Sequence, residues 1–176
     1  HVLSEKPLGV YTLSLKKVFK SQKKSGNLYA TMLNQRTNKL FMLAKELVDN
    51  GEIGNLVKNK YVITNWYRTQ EYYDSGSWRG TWSGEGGGVL INQAIHTIDL
   101  MQYLSSMPKE IIANIANISL RDVIDVEDNA LISSIDNSFR LFASNCASKD
   151  FPIRIVIKTE DEKIEIINNI VKIKCY

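Results

Sequence analysis

The sequence is poor in cysteine, in proline and in long hydrophobic runs. Its two cysteines, Cys146 and Cys175, are too few for a disulfide framework in a chain of 176 residues. Only ten glycines and three prolines are present, which excludes collagen-like and low-complexity classes. No apolar run reaches the roughly 18 residues that a membrane-spanning helix needs. We therefore expect no membrane partner, and the low cysteine content favours a reducing, cytoplasmic setting.

The sequence does contain enough apolar residues for a folded core. Hydrophobic residues make up 44% and charged residues 23%, which excludes disorder as the main state. The length suits one domain, or one domain with a piece of another. The net charge of +3 is small, and the lysines of residues 16–24 fit a solvated helix face. We therefore expect no nucleic-acid partner.

The order of predicted elements indicates an α+β fold. Hydrophobic periodicity predicts a short strand, two helices and two further strands before an irregular loop rich in glycine and tryptophan, and a helix and six strands after it. We expect a largely antiparallel mixed sheet with helices on one face, preceded by a βα unit. The predicted strands are 1–3, 27–35, 54–68, 110–118, 128–135, 139–147, 153–158, 163–167 and 170–174; the helices are 10–25, 38–49 and 89–104, and the loop is 69–88.

The helix predicted over 89–104 carries one polar stripe on an otherwise apolar surface. Asn92, His96 and Asp99 are spaced so that they share a face. One interpretation is a structural histidine paired with Asp99, and the other is a general acid/base that titrates near neutral pH. A metal site is disfavoured because the sequence has two histidines and no cysteine cluster.

Two further segments contain residues suited to catalysis or ligand binding. Glu5-Lys6-Pro7 is either an exposed turn or a turn made rigid by Pro7 that holds the Lys6 ammonium in a cleft. The segment from Gly84 to Gly88 does not match the spacing of the glycine-rich dinucleotide fingerprint. A long loop of this composition within a compact domain is nevertheless typical of a functional segment.

Several short motifs occur in a fixed order along the chain. They are Glu5-Lys6-Pro7, Asn34-Gln35-Arg36, Gly51-Glu52-Ile53-Gly54, Trp78-Arg79-Gly80-Thr81-Trp82, and Gly86-Gly87-Gly88 followed by Asn92, His96 and Asp99. Together these motifs resemble the Gfo/Idh/MocA oxidoreductases, a family of NAD(P)-dependent sugar, inositol and nucleotide-sugar dehydrogenases. The resemblance extends from Leu3 to about Asp128 and more loosely through the closing strands.

The resemblance implies a role for each candidate residue. Lys6 and His96 would be catalytic, with Lys6 between nicotinamide and substrate and His96 moving the proton while the cofactor moves the hydride. Glu5, Lys6 and Pro7 would border an NAD or NADP site, with a cis peptide bond before the proline. No metal is implied. The residues implied to contact a sugar-type substrate are Asn92, Asp99, Arg79, Trp82 and Arg36.

The sequence departs from the family pattern at two points. Many members have aspartate where this chain has Asn92, and because an amide cannot take a proton, that role falls on His96 and Lys6. This Asn-Gln form resembles the branch that includes nucleotide-sugar 3-dehydrogenases. The larger departure is that the glycine-rich cofactor domain is not in the sequence.

The second departure sets our expectations for domain organisation. We expect residues 1–26 to be the C-terminal remnant of a dinucleotide-binding domain, and residues 27–176 to be a substrate-binding and oligomerisation domain. Engineered truncation or proteolysis is the favoured explanation, and a shortened gene product is the alternative. We expect this chain alone to bind no cofactor and to be inactive. The alternative is a non-catalytic sugar-binding or self-association module, assembled as a dimer or tetramer through its sheet.

Overall fold

A computed structural model describes residues 1–54, 60–120, 122–149, 151–168 and 170–175, with only the backbone described over residues 60–65. The chain starts with a parallel βαβ unit. Strand β1 (Val2–Ser4) pairs with β2 (Tyr29–Thr31), and helix α1 (Thr12–Ser25) connects them. Gly26 ends α1 with a φ of 67°, a conformation that favours glycine. The predicted strand over 27–35 was too long, because Asn34–Thr37 form a 3-10 helix.

The remaining strands form one seven-stranded sheet. Its spatial order is β4-β5-β6-β3-β7-β8-β9, in which β3 pairs with β6 in parallel and the other neighbours are antiparallel. The prediction of a largely antiparallel mixed sheet is therefore confirmed. The strands are β3 (Lys60–Asn65), β4 (Ile111–Ala116), β5 (Asn129–Ser134), β6 (Phe139–Ser144), β7 (Arg154–Lys158), β8 (Glu162–Ile167) and β9 (Ile170–Cys175). Part of the strand predicted over 54–68, residues 55–59, lies outside the described residues.

Helices α2 (Lys39–Asp49) and α4 (Ile95–Ser105) pack on one face of this sheet. Their apolar side chains and those of the central strands form one buried cluster, which confirms the prediction of helices on one face. Members of this cluster include Phe41, Ala44, Leu100, Met101, Leu104, Leu141, Ala143, Ile155, Ile157, Ile164 and Ile166. None of the helices in the described part of the chain is long and apolar enough to cross a membrane.

Two predicted boundaries around the irregular loop were wrong. The segment 69–88 contains a short helix, α3 (Gln70–Asp74), whose first turn is capped by the hydroxyl of Thr69. The helix predicted to start at residue 89 starts at Ile95 instead. Residues 89–94 form turns in which the Ala94 N–H donates to the Val89 carbonyl, five residues back. A regular helix would use the carbonyl four residues back, so this bond displaces the start of α4.

Buried Glu127 anchors these turns. Its carboxylate accepts hydrogen bonds from the Gly88 N–H (2.9 Å) and the Leu90 N–H (3.1 Å), and its carbonyl accepts one from the Val89 N–H (3.0 Å). A Cβ atom on Gly88 would lie 2.0 Å from the Glu127 carbonyl oxygen. Close backbone contact, rather than an unusual φ, therefore requires glycine at this position.

We expect Gly88→Ala to lower the free energy of unfolding by about 3 kcal/mol, because a backbone atom cannot move aside as a flexible side chain can. Gly26→Ala is the comparison. A Cβ there meets nothing within 4 Å, so only the positive φ is unfavourable, and the expected loss is about 1 kcal/mol. Urea unfolding of the two variants measures both values, and equal losses would contradict the close-contact argument.

Candidate functional site

Lys6 lies two residues after the end of β1, and its side chain reaches the turns that precede α4. Its ammonium donates hydrogen bonds to the backbone carbonyl of Asn92 (2.8 Å) and to the side-chain oxygen of the same residue (3.0 Å). The Lys6–Pro7 peptide bond is cis. These two hydrogen bonds connect residues 86 positions apart, and they bring two of the predicted site residues into direct contact.

The glycine run packs against the N-terminal unit beside this contact. Gly86 has a φ of 76°, and a Cβ there would lie 1.9 Å from a methyl carbon of Val10. The loop therefore approaches the segment after Pro7 more closely than any other residue type would allow. This close approach holds the loop and the Lys6 turn in one site.

The Lys6 ammonium is subject to opposing effects. Partial burial is the largest, and it lowers the pKa of Lys6 because the charged form is poorly solvated. The negative charges of Glu85 and Glu5 raise this pKa, while the positive charge of Arg79 lowers it. Two carboxylates and one guanidinium therefore shift the pKa of this half-buried amine in opposite directions.

His96 lies in the first turn of α4 and responds to the same charges. Burial lowers the pKa of His96, the charge of Lys6 lowers it further, and Asp99 and Glu5 raise it. The charge of Lys6 therefore acts on the titration of His96. The Nδ1 atom of His96 is buried and makes no hydrogen bond within the described structure. The neutral imidazole is favoured near neutral pH, and this is the form that accepts a proton.

A cavity of about 180 Å³ opens beside Lys6. It is smaller than the roughly 300 Å³ typical of the smallest ligand pockets, so the described residues enclose only part of a site for a drug-sized ligand. His96 does not border it, but the charge of Lys6, which does, lowers the pKa of His96. The lining residues are Lys6, Pro7, Val10, Trp78, Gly84, Glu85, Ile91 and Asn92.

Two larger hollows, of about 500 and 520 Å³, lie elsewhere in the described structure. One is beside the C-terminal end of α4 and the other between β1 and α1. Neither is lined by a residue that the sequence predicts to be part of the site. The smaller cavity at Lys6 is therefore the candidate site.

Arg79 and Tyr72 form the polar wall next to the cavity. The Arg79 guanidinium lies 4.4 Å from the ring centres of both Tyr72 and Trp78 and donates a hydrogen bond to the Tyr72 hydroxyl (2.9 Å). The same hydroxyl accepts hydrogen bonds from the side-chain amides of Asn92 (3.2 Å) and Gln93 (3.1 Å). Arg79 is thus held by aromatic faces and connected to Asn92 through one hydroxyl.

Arg36 and Asp99 lie together but engage each other. Both oxygens of the buried Asp99 carboxylate accept hydrogen bonds from the Arg36 guanidinium, at 2.9 and 2.6 Å. This pairing raises the pKa of Arg36, mainly through the hydrogen bonds to Asp99. The structure therefore brings these two predicted residues together as an ion pair, and their contact with substrate stays a prediction.

Trp82 and Glu5 are less closely associated with the cavity. Trp82 is exposed, donates its indole N–H to the Asp125 carbonyl (2.9 Å), and does not line the cavity. Glu5 is exposed and acts on Lys6 and His96 through its charge. Their predicted roles toward substrate and cofactor likewise stay predictions.

Sequence reasoning missed the roles of Glu85, Tyr72 and Trp78 in the site. One signal was available, since Glu85 is an ionisable residue between two glycines in a loop whose composition is typical of a functional segment. Tyr72 and Trp78 belong to the aromatic-rich part of that loop, where nothing in the spacing separates a cavity wall from a surface ring. Within the described residues, no group of three His, Cys, Asp or Glu side chains is placed to hold a metal ion.

Removing the Lys6 charge provides a test of the coupling between Lys6 and His96. We expect Lys6→Met to raise the pKa of His96, because the positive charge that disfavours the imidazolium is gone. An NMR titration of the imidazole signals, assigned with His96→Gln, measures this change. The exposed Lys109→Met is the matched control, and an equal His96 titration in both variants would contradict the coupling.

Comparison with known proteins gives a consistent family signal. A family model of the GFO/IDH/MocA C-terminal domain matches residues 41–135. An uncharacterized oxidoreductase of Schizosaccharomyces pombe is 26% identical over 128 residues, which are 73% of this chain and 33% of the relative. The chain therefore spans about a third of the length of that relative.

Solved structures agree with this signal. The WlbA dehydrogenase of Bordetella pertussis, in complex with NADH and UDP-GlcNAcA, is 26% identical with a TM-score of 0.87, covering 96% of this chain and 52% of the other. The corresponding enzyme of Chromobacterium violaceum, with the same ligands, is 25% identical with a TM-score of 0.87, covering 98% and 51%. Levoglucosan dehydrogenase, with NADH and levoglucosan, shares the fold at 21% identity and a TM-score of 0.82, covering 99% and 50%. The chain spans about half the length of each.

Proposed function

The chain belongs to the GFO/IDH/MocA family, and we propose that it is the substrate-binding half of an NAD(P)-dependent dehydrogenase. The proposed reaction is the oxidation of a secondary alcohol of a sugar, an inositol or a nucleotide sugar by hydride transfer. The single observation that carries the proposal is the pair of hydrogen bonds from the Lys6 ammonium to Asn92 at the cavity, one helical turn before His96 in sequence. Family membership alone would not assign a reaction to this chain.

Alcohol oxidation requires that the substrate lose a hydride from carbon and a proton from oxygen. A bound nicotinamide supplies the hydride acceptor. In the proposed mechanism the neutral imidazole of His96 takes the hydroxyl proton, and the Lys6 ammonium donates a hydrogen bond to the same oxygen. Asn92 occupies two of the Lys6 protons through its carbonyl and amide oxygens, which leaves the third free to point into the cavity.

The cofactor site is proposed to border the Lys6–Pro7 turn. Pro7 and Val10 give one side of the cavity an apolar surface next to the ammonium, which fits the edge of a nicotinamide ring. Residues that would hold the rest of NAD or NADP are not assigned in this chain. We propose that the cofactor is held by the whole enzyme and that this chain alone does not hold it tightly.

The N-terminal βαβ unit supports the proposed domain organisation. Leu3 and Leu28, in or beside its two strands, and Leu13 in α1 are 61%, 70% and 73% exposed. Apolar surface of this extent is typical of an interface with further protein. We propose that this unit completes a dinucleotide-binding domain and that the rest of the chain is the substrate and oligomerisation domain. Because β2 pairs with β1, we place the proposed boundary after β2, a few residues beyond the predicted boundary at residue 26.

Two observations favour a nucleotide sugar over a free sugar. The two WlbA structures, which contain UDP-GlcNAcA, match at 25–26% identity, whereas levoglucosan dehydrogenase matches at 21%. The Asn92-Gln93 pair also resembles the nucleotide-sugar branch, and both side-chain amides donate hydrogen bonds to the Tyr72 hydroxyl.

The cytoplasmic location of the protein stays a prediction.

We expect His96→Ala and Lys6→Ala to lower kcat by about 100- to 10,000-fold in the enzyme that joins this chain to its dinucleotide-binding half. The measurement is NAD(P)H absorbance with UDP-linked sugar acids and, in parallel, with free monosaccharides. The proposal predicts turnover with the nucleotide sugars.

Lys109→Ala, on the exposed segment after α4, is the matched control and should keep the parent rate. Near-parent rates in both site variants would remove Lys6 and His96 from the chemistry. Binding of a nucleotide sugar with no turnover on any tested alcohol would favour the alternative of a non-catalytic sugar-binding module.

Self-association through the sheet is proposed from its open face. Leu131 and Phe142 are cross-strand partners on the face away from α2 and α4, and Ile112 lies diagonally from Leu131 on the next strand, opposite Ser133. The three side chains share this face, and Ile112, Leu131 and Phe142 are 58%, 46% and 37% exposed. A contiguous apolar surface in a sheet is typical of an interface between subunits. This face is where we place the dimer or tetramer contact.

We expect Phe142→Asp to convert the associated form to monomer, because a carboxylate in an apolar interface is poorly solvated. Sedimentation velocity at several concentrations measures the change. Met42→Asp, at an exposed apolar position of α2 on the opposite side of the sheet, is the control and should leave the association unchanged. A monomeric parent chain, or an associated Phe142→Asp variant, would contradict the proposed interface.

A further inference from the structure

The carboxylate of Glu85 lies at the centre of the site, and the mechanism above gives it no role. Glu85 is partly buried and lines the cavity beside Lys6. One of its oxygens accepts a hydrogen bond from the Gly80 N–H (2.7 Å), and the other accepts a close hydrogen bond from the side-chain amide of Asn92. Both partners of this carboxylate are therefore N–H donors.

We propose that Glu85 is a positioning residue: its carboxylate fixes the Asn92 side chain so that the amide oxygen faces Lys6, and it supplies the negative charge that balances the Lys6 ammonium. This proposal rests on the proposed function, in which the Lys6 ammonium donates a hydrogen bond to the substrate alcohol. It extends the proposed function by naming Glu85 as the residue that controls the hydrogen bonding and the charge balance of Lys6.

The orientation of Asn92 follows from its partners. Its amide nitrogen is a donor, and it points to the Glu85 carboxylate and the Tyr72 hydroxyl. Its amide oxygen is an acceptor, and it points to the Lys6 ammonium. A carboxylate can only accept, so Glu85 excludes the flipped amide, which would place oxygen against oxygen and nitrogen against the ammonium.

The charges around Lys6 indicate why a carboxylate is useful at this position. Arg79 is positive, His96 lies near enough to feel the Lys6 charge, and burial disfavours the ammonium. Glu85 and exposed Glu5 are the negative groups that oppose these effects, with Glu85 the stronger of the two. Since Asn92 is itself uncharged, the carboxylate in contact with it is supplied by a different residue, seven positions earlier in the chain.

A purely structural role for Glu85 is the competing explanation. Its bond to Gly80, which has a φ of 66°, holds the loop between Gly80 and Glu85 in shape. That role would affect folding without changing the ionisation of Lys6 in a folded variant. The two explanations therefore differ in one measurable quantity, the pKa of Lys6.

The test is an NMR titration of the Lys6 side chain in Glu85→Gln, with the chain labelled with carbon-13 lysine and the Lys6 signal assigned from Lys6→Met. Glutamine keeps the shape but removes the charge, and it places one donor against the N–H of either Gly80 or Asn92. We expect the pKa of Lys6 to fall further below its ordinary value. Glu46→Gln, which removes a charge from the exposed surface of α2, should leave it unchanged.

A compensating variant tests the orientation of the amide. In Glu85→Gln combined with Asn92→Asp, the new carboxylate accepts from both Lys6 and the glutamine amide, and the glutamine oxygen accepts from Gly80. We expect the Lys6 pKa to return to the parent value or above it. If Glu85→Gln does not fold, Glu85→Asp serves instead, with a smaller fall expected because the shorter carboxylate withdraws from Asn92.

An unchanged Lys6 titration in folded Glu85→Gln or Glu85→Asp would overturn the proposal, as would a double variant that leaves Lys6 at the lowered value. The dehydrogenase assay separates this failure from failure of the proposed function. A shifted Lys6 titration in a protein that oxidises none of the tested alcohols would retain the role of Glu85 and overturn the reaction.

Discussion

The hydrogen bonds from Lys6 to Asn92 are the contact on which the rest of the site depends. They join the end of a strand in the N-terminal unit to the turns before α4, across 86 positions of sequence. The glycine run makes this contact possible, because Gly86 and Gly88 allow the backbone to approach Val10 and Glu127 without a side chain between them. Without that approach, the ammonium and the imidazole would belong to separate surfaces.

The site balances burial against charge. Burial lowers the pKa of both Lys6 and His96, because each is charged in its protonated form. The neighbouring carboxylates act in the opposite direction. The His96 imidazole therefore favours its neutral form, while carboxylates near Lys6 favour the ammonium. A neutral base and a hydrogen-bond donor are the two groups that assist proton removal from an alcohol.

Much of the fold could be predicted from the sequence because it depends on local periodicity. The alternation in the closing strands predicted six of the seven strands of the large sheet to within a few residues, and the apolar face of α2 was equally clear. The start of α4 could not be predicted, since the turns before it are set by Glu127, about forty positions later. Periodicity contains no information about such a distant partner.

The candidate site was likewise predictable from the sequence only in part. The spacing of Asn92, His96 and Asp99 indicated the segment that Lys6 contacts, but it could not show that Asp99 binds Arg36 while Asn92 binds Lys6. The part played by Glu85 depends on a loop whose shape is set by tertiary contacts, so its position beside Asn92 was visible only in three dimensions.

The most direct test of the central claim is a crystal structure of this chain with a bound nucleotide sugar. The account predicts that one substrate hydroxyl lies within hydrogen-bond distance of both the Lys6 ammonium and an imidazole nitrogen of His96. A sugar bound in the cavity with His96 remote from every hydroxyl, or bound to a different face of the molecule, would contradict it.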